Sequence, residues 1–185
     1  RYVGDPRFVQ VPVAGLLETG YLDRRAGLIG QRAGGPPVAG RPAGSTQAGI
    51  DATAEPGGTT HFVIVDSAGN VVSMTTTVES YFGSGRVVAG FFLNNQLTDF
   101  SFRPQDPDGA PAANAVVGGK QPRSSMTPVI ILDRDGRWVG ALGSPGGNAI
   151  PAYVGKALVG VLDWGLPLQQ AIDLPNLVAR GDTFN

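Results

Sequence analysis

Alternation of apolar and polar positions dominates the middle of the chain. Thr60 to Asp66 and Asn70 to Thr77 both read as strands, and Ser67-Ala68-Gly69-Asn70 supplies turn residues for a hairpin between them. Residues 87–93 form a third apolar run and Val129 to Leu132 a fourth, which Asp133-Arg134-Asp135-Gly136 turns back into Trp138 to Leu142. The period then changes. From about Ala149 to Trp164, Ile150, Val154, Ala157, Leu158, Val161 and Leu162 share one helical face, Lys156 and Asp163 lie off it, and Gly165 ends the helix. A shorter helix is predicted from Leu168 to Asp173, closed by Pro175.

The first 58 residues behave differently. Pro12, Val13, Leu16, Leu17, Tyr21, Leu22 and Leu28 recur at roughly helical spacing, which predicts two short helices split by Gly20 with Asp23 and Arg24 exposed. Residues 34–58 have linker composition, rich in glycine and proline and poor in large apolar groups. Asp106 to Gly119 reads as a long loop, and loops of that length commonly act as lids or binding segments. Antiparallel strands followed by helices predict sheets packed against helices in layers, with no internal repeat.

Composition narrows the chemistry. The 185 residues are enough for a substantial core, and a net charge of -1 gives no reason to invoke nucleic acid or an acidic membrane surface. With no cysteine, disulfides and thiolate chemistry are excluded. The single histidine, His61, rules out a multi-histidine metal site. No run approaches the roughly 18 apolar residues of a membrane span. The chain starts at Arg1 without a methionine or a signal-peptide pattern, and is expected to be a piece of something longer.

Five stretches could carry chemistry. Gly57-Gly58-Thr59-Thr60-His61 is either a loop entering a strand or a processing site. In the second case a cut between Gly58 and Thr59 would leave a threonine whose own α-amine serves as base. On an extended strand Thr75, Thr77 and Glu79 share one face, either aimed at a site or placed there because threonine suits strands. Asn94 and Asn95 suit a turn, while Gln96 and Asp99 could accept from an ammonium group. Lys120 to Pro128 contains Ser124 and Ser125, in a solvated loop or a carboxylate site. Gly143-Ser144-Pro145-Gly146-Gly147 precedes the best helix and suits an oxyanion hole or a phosphate site, though it lacks the lysine of a Walker loop.

The order of these motifs, together with Phe82-Gly83-Ser84-Gly85 and Leu93-Asn94-Asn95-Gln96, resembles the small subunit of γ-glutamyltransferases from Thr59 to about Pro175. Residues 1–33 resemble the end of the large subunit, 34–58 a linker ending at the processing site, and 59–185 a shortened catalytic core. The resemblance implies an α+β fold, the N-terminal nucleophile hydrolase αββα sandwich, of which most of the large-subunit portion is absent. It implies no cofactor and no metal.

By the same resemblance, Thr59 attacks the Gly58 carbonyl to release the large subunit, then acts as nucleophile on γ-glutamyl amides such as glutathione. The acyl group passes to water or to an amino acid or peptide amine. Thr77 orients the nucleophile, Gly146 and Gly147 stabilise the oxyanion, Ser124 and Ser125 receive the donor's α-carboxylate, and Gln96 and Asp99 lie near its α-ammonium. Glu79 stands where many members have asparagine, and the Asp106–Gly119 lid position has no tyrosine, with Asn114 its conspicuous polar side chain. His61 is expected to be structural. The expected partners are the large-subunit remainder, small γ-glutamyl molecules and copies of the chain itself, with no nucleic acid and no membrane span. The expected location is the periplasm or the outside of the cell. Two other readings stand beside this one: an acylase for cephalosporin or glutaryl amides on the same fold, and a silent binding domain whose precursor is never cut.

Overall fold

The computed structural model describes residues 1–32, 34–35, 38–46, 49–53, 58–180 and 183–184. Gly57 and the rest of 54–57, where the linker was expected to reach the processing site, lie outside the described residues. The chain forms two compact units, the first from its beginning to residue 54 plus 97–123 and 179–184, the second from 55–96 plus 124–178.

In the second unit β1 (Thr59–Val65) and β2 (Val71–Thr77) pair antiparallel, with Thr59 opposite Thr77 and His61 opposite Thr75. Asp66 sets their turn by accepting from the backbone N–H groups of Ala68 and Asn70. The run at 87–93 is not one strand. It divides into β3 (Val87–Val88) and β4 (Phe91–Phe92), because Ala89 and Gly90 both take left-handed φ values of 50° and 84°. That is the backbone a two-residue hairpin requires. β5 (Val129–Leu132) and β6 (Trp138–Leu142) form the last hairpin of this unit. Its Asp133 repeats the Asp66 device, accepting from Asp135 N–H and Arg137 N–H.

In the first unit α1 (Val13–Leu16) and α2 (Thr19–Ala26) open the chain. The break between them falls before Glu18 and not at Gly20, because the Glu18 carboxylate caps α2 by accepting from Gly20 N–H and Tyr21 N–H at 2.9 and 2.6 Å. Capping of this kind satisfies helix N–H groups that have no partner within the helix, so Gly20 is absorbed into the first turn. Asp23 and Arg24 are exposed as expected.

Helix α3 (Ile150–Leu162) follows a short 3-10 turn at Gly147–Ala149. Ile150, Val154 and Ala157 are buried with Leu142, and Met126, Val129, Ile131 and Leu158 pack on them. Leu162, expected on this face, is instead exposed, and Gly160 takes the buried place. The reason is α4 (Leu168–Asp173), whose Ala171 lies so close to Gly160 that a Cβ there would meet it at 2.8 Å. Gly165, at φ 67°, turns the chain so that Leu166 N–H reaches the Gly160 carbonyl.

Among its described residues the first unit buries few large apolar groups. Phe100 and Ala112 are buried beside Asp5, Asp99, Ser101, Asn114 and Lys120. Buried polar atoms are costly unless hydrogen-bonded, and here they hold the backbone together. The Asp5 carboxylate accepts from Arg7 and from Gln121 N–H, and Lys120 donates to the carbonyls of Ala113 and Ala115. The described parts of the predicted linker are also tied in, with Gly49 N–H bonded to the Pro111 carbonyl and Ala52 N–H to Ser101 Oγ. The Asp106–Gly119 loop carries no helix or strand. β7 (Ala179–Arg180) and β8 (Thr183–Phe184), which no pattern suggested, pair antiparallel in this unit.

Candidate active site

Strand pairing brings the first two candidates together. Because Thr59 opens β1 directly opposite the last residue of β2, its hydroxyl lies 3.4 Å from Thr77 Oγ1. Thr77 Oγ1 in turn donates to the Gly58 carbonyl at 3.2 Å and accepts from Glu79 N–H at 2.8 Å. A hydroxyl has one hydrogen to donate and two lone pairs. Thr77 uses all three, receiving from Thr59 and Glu79 and pointing its own hydrogen at the carbonyl preceding Thr59.

Glu79 is not on the threonine face. β2 ends at Thr77, and Glu79 has a left-handed φ of 76°, so strand alternation stops before it. Its side chain is buried. A non-glycine residue held at positive φ is uncommon and strained by about 1–2 kcal/mol. The neighbouring backbone explains the arrangement: Gly58 runs so close to the Glu79 carbonyl that a Cβ on Gly58 would collide with it. Glycine at 58 is therefore set by a close approach of main chain to main chain.

An open cleft of about 700 Å³ lies over the two threonines, lined by Gly58, Thr59, Thr77, Tyr81, Gly146 and Tyr153 among others. Gly146 has φ 135° and lies against the Tyr153 ring, while Gly147, at φ 53°, is buried and does not line the cleft. Ser125 Oγ donates to the Gly147 carbonyl at 2.8 Å and so fixes the glycine turn. Ser124 is exposed and accepts from Met126 N–H; neither serine lines the cleft. Asn95 serves the turn, exchanging hydrogen bonds with Ser80 N–H and Ser80 Oγ. Gln96 and Asp99 share the 3-10 turn Gln96–Asp99, and Asp99 belongs to the first unit, where its carbonyl accepts from Asn114 and Thr53.

His61 takes no part in the cleft. Its Nδ1 is 2.9 Å from Thr75 Oγ1, and its ring fills the space over Gly143, where a Cβ would strike it. Burial pushes its pKa below the ordinary histidine value, which favours the neutral ring. Tyr81 and Tyr153 were not anticipated as cleft residues. Tyr81 opens the turn at residues 81–84, and Tyr153 lies in the first turn of α3, shortly after the glycines.

Helices and antiparallel hairpins make this an α+β fold, and its likeness to solved structures makes it one of the N-terminal nucleophile hydrolase kind. The chain belongs to the γ-glutamyltranspeptidase family, whose model matches residues 1–182. It is 41% identical over 177 residues to a glutathione hydrolase proenzyme of Pseudomonas aeruginosa, a match covering 92% of this chain and 30% of that protein. An acylase ACY 1 proenzyme of a Pseudomonas species is 34% identical over 179 residues, covering 96% of this chain and 29% of that protein. Among solved structures, γ-glutamyltranspeptidase of Pseudomonas nitroreducens superposes with a TM-score of 0.59 at 43% identity, covering 65% of each chain. The chain thus spans about 30% of the length of the curated relatives it matches.

Proposed function

We propose that Thr59 is the nucleophile of a self-processing γ-glutamyltransferase, and that the Gly58–Thr59 bond is where its precursor is cut. The observation that carries this reading is the hydroxyl chain from Thr59 through Thr77 to the Gly58 carbonyl. Thr59 Oγ attacks the Gly58 carbonyl carbon, and the hydrogen of Thr77 lies where negative charge develops on that oxygen. The carbon–nitrogen bond breaks, the proton given up by Oγ ends on the Thr59 nitrogen, which becomes the α-amine, and Gly58 is left esterified to Oγ. Water hydrolyses the ester, freeing a Gly58 carboxylate and the Thr59 hydroxyl.

In turnover the α-amine takes the hydroxyl proton as Thr59 attacks a γ-glutamyl carbonyl, then passes it to the donor nitrogen. The carbon–nitrogen bond of the donor breaks, the amine leaves and the glutamyl group is esterified to Oγ. The acyl group then passes to water or to an amino acid or peptide amine. Gly146 and Gly147 are the proposed oxyanion donors, with Ser125 holding their turn. The donor's α-carboxylate is assigned to Ser124 and Ser125 and its α-ammonium to Gln96, Asp99 and Glu79, on the strength of the family motifs. The remainder of the large subunit is the proposed partner, self-association the proposed behaviour of separated copies, and the periplasm or the exterior the proposed location. No helix among the described residues is long and apolar enough to cross a membrane.

The test is turnover of paired amide donors by the precursor and its Thr59→Ala variant. γ-Glutamyl anilide hydrolysed only by the protein with Thr59 is the expected result. Turnover of glutaryl anilide alone would replace this reading by the acylase one.

A further inference from the structure

We propose that Asp51, Thr53, Asn114 and Arg123 form a clasp that keeps the segment ending at Gly58 attached to residues 97–123 after the chain is cut. The inference rests on the processing reading above. The first unit is assembled from chain on both sides of Gly58–Thr59, so cleavage removes the covalent route between its halves. What joins them at the nearer end is a polar cluster. Arg123 Nε donates to Asp51 Oδ2 at 2.6 Å, with the two side chains only 17% and 14% exposed.

Asn114, fully buried, bridges both sides. Its Nδ2 contacts Asp51 Oδ2 at 3.3 Å, Thr53 Oγ1 at 3.2 Å and the Asp99 carbonyl at 2.7 Å, while its Oδ1 accepts from Arg123 N–H at 2.9 Å. Thr53 Oγ1 also lies 2.5 Å from Asp51 Oδ1 and 3.2 Å from the Asp99 carbonyl. Burial opposes ionisation of Asp51, but hydrogen bonds from Thr53 and Arg123 outweigh it and hold the carboxylate below its ordinary pKa. Removing one partner of such a pair leaves the other charge buried and uncompensated, which costs far more than an exposed pair is worth. While the chain is continuous, the tether keeps the effective concentration of its halves high, so they stay together even when the cluster is weakened. After cleavage it limits release.

The test uses the full precursor carrying Thr59→Ala, with residues 54–57 replaced by a site for a sequence-specific protease, so that cutting does not depend on self-processing. Release of the piece that precedes the introduced cut is followed by native mass spectrometry after cutting. Asp51→Asn and Arg123→Gln are each expected to speed release about tenfold or more, and the double variant to release no faster than either single one. The uncut variants should melt below the parent, because the pair is buried in the continuous chain as well, yet stay folded at the temperature of the release assay. Release rates equal to the parent's, or effects that add in the double variant, would each overturn the clasp. A precursor that fails to cut itself would sink the processing reading and leave this experiment readable.

Discussion

Thr77 sits at the junction of nucleophile and scissile carbonyl, and its single hydroxyl makes three hydrogen bonds. Thr77→Val keeps the shape and removes all three. Loss of one oxyanion donor typically costs about 10²–10³ in rate, so self-cleavage should slow at least about a hundredfold, while stability falls by only about 1–2 kcal/mol. Thr77→Ser should restore much of the rate, as read by the time course of the two product masses. Gly58→Ala probes the other side of the bond. Its Cβ would collide with the Glu79 carbonyl, so the scissile peptide must shift. Shifts of about 1 Å cost about a hundredfold in well-oriented reactions, and a variant cut at the normal rate would show that this approach is not required.

At the scale of elements, the β1–β2 and β5–β6 hairpins meet where His61 covers Gly143. Gly143→Ala should cost about 1–3 kcal/mol by overpacking, and should cost little in a His61→Ala background, where the ring is gone. Thermal melts of the four proteins close that cycle. Because burial lowers the folded pKa of His61, the unfolded chain binds more protons below its own pKa of about 6.5. Stability is therefore present above that value and lost as pH falls. His61→Gln should flatten this part of the profile, and an unchanged slope would remove His61 as its cause.

Much at this scale was legible in the sequence, because it depends on local period and turn chemistry. The bounds of β5, β6 and α4 follow from apolar runs closed by glycine or proline, and the β1–β2 hairpin follows from Asp66 to Asn70. The helix break was misplaced because a side-chain cap at Glu18 overrode the low helix propensity of Gly20. Glu79 was misplaced because a close backbone approach, and not strand alternation, decides its φ. The pairing of Thr59 with Thr77 was accessible from the hairpin register; Tyr81, Tyr153 and the Asn114 cluster were not, since they depend on contacts between distant segments.

For the molecule as a whole, the first unit relies on carboxylates more than on apolar burial. The Arg7 guanidinium, with the Gln121 N–H, holds Asp5 well below the usual carboxylate range, and Asp51 is lowered as well. Both contributions are present above the unfolded carboxylate pKa of about 4 and lost as pH falls through the folded values. Acidification below pH about 4 should therefore cost residues 97–123 more hydrogen-exchange protection than the Leu142–Ile150–Val154–Ala157 core. Simultaneous loss in both places would contradict this division of the forces.

The central claim is that Thr59 cuts the chain before itself. Its most direct measurement is intact mass spectrometry of the precursor after incubation at neutral pH, beside a Thr59→Ala control. The account predicts two masses meeting between Gly58 and Thr59, with a single uncut mass in the control. One uncut mass in both samples would contradict it.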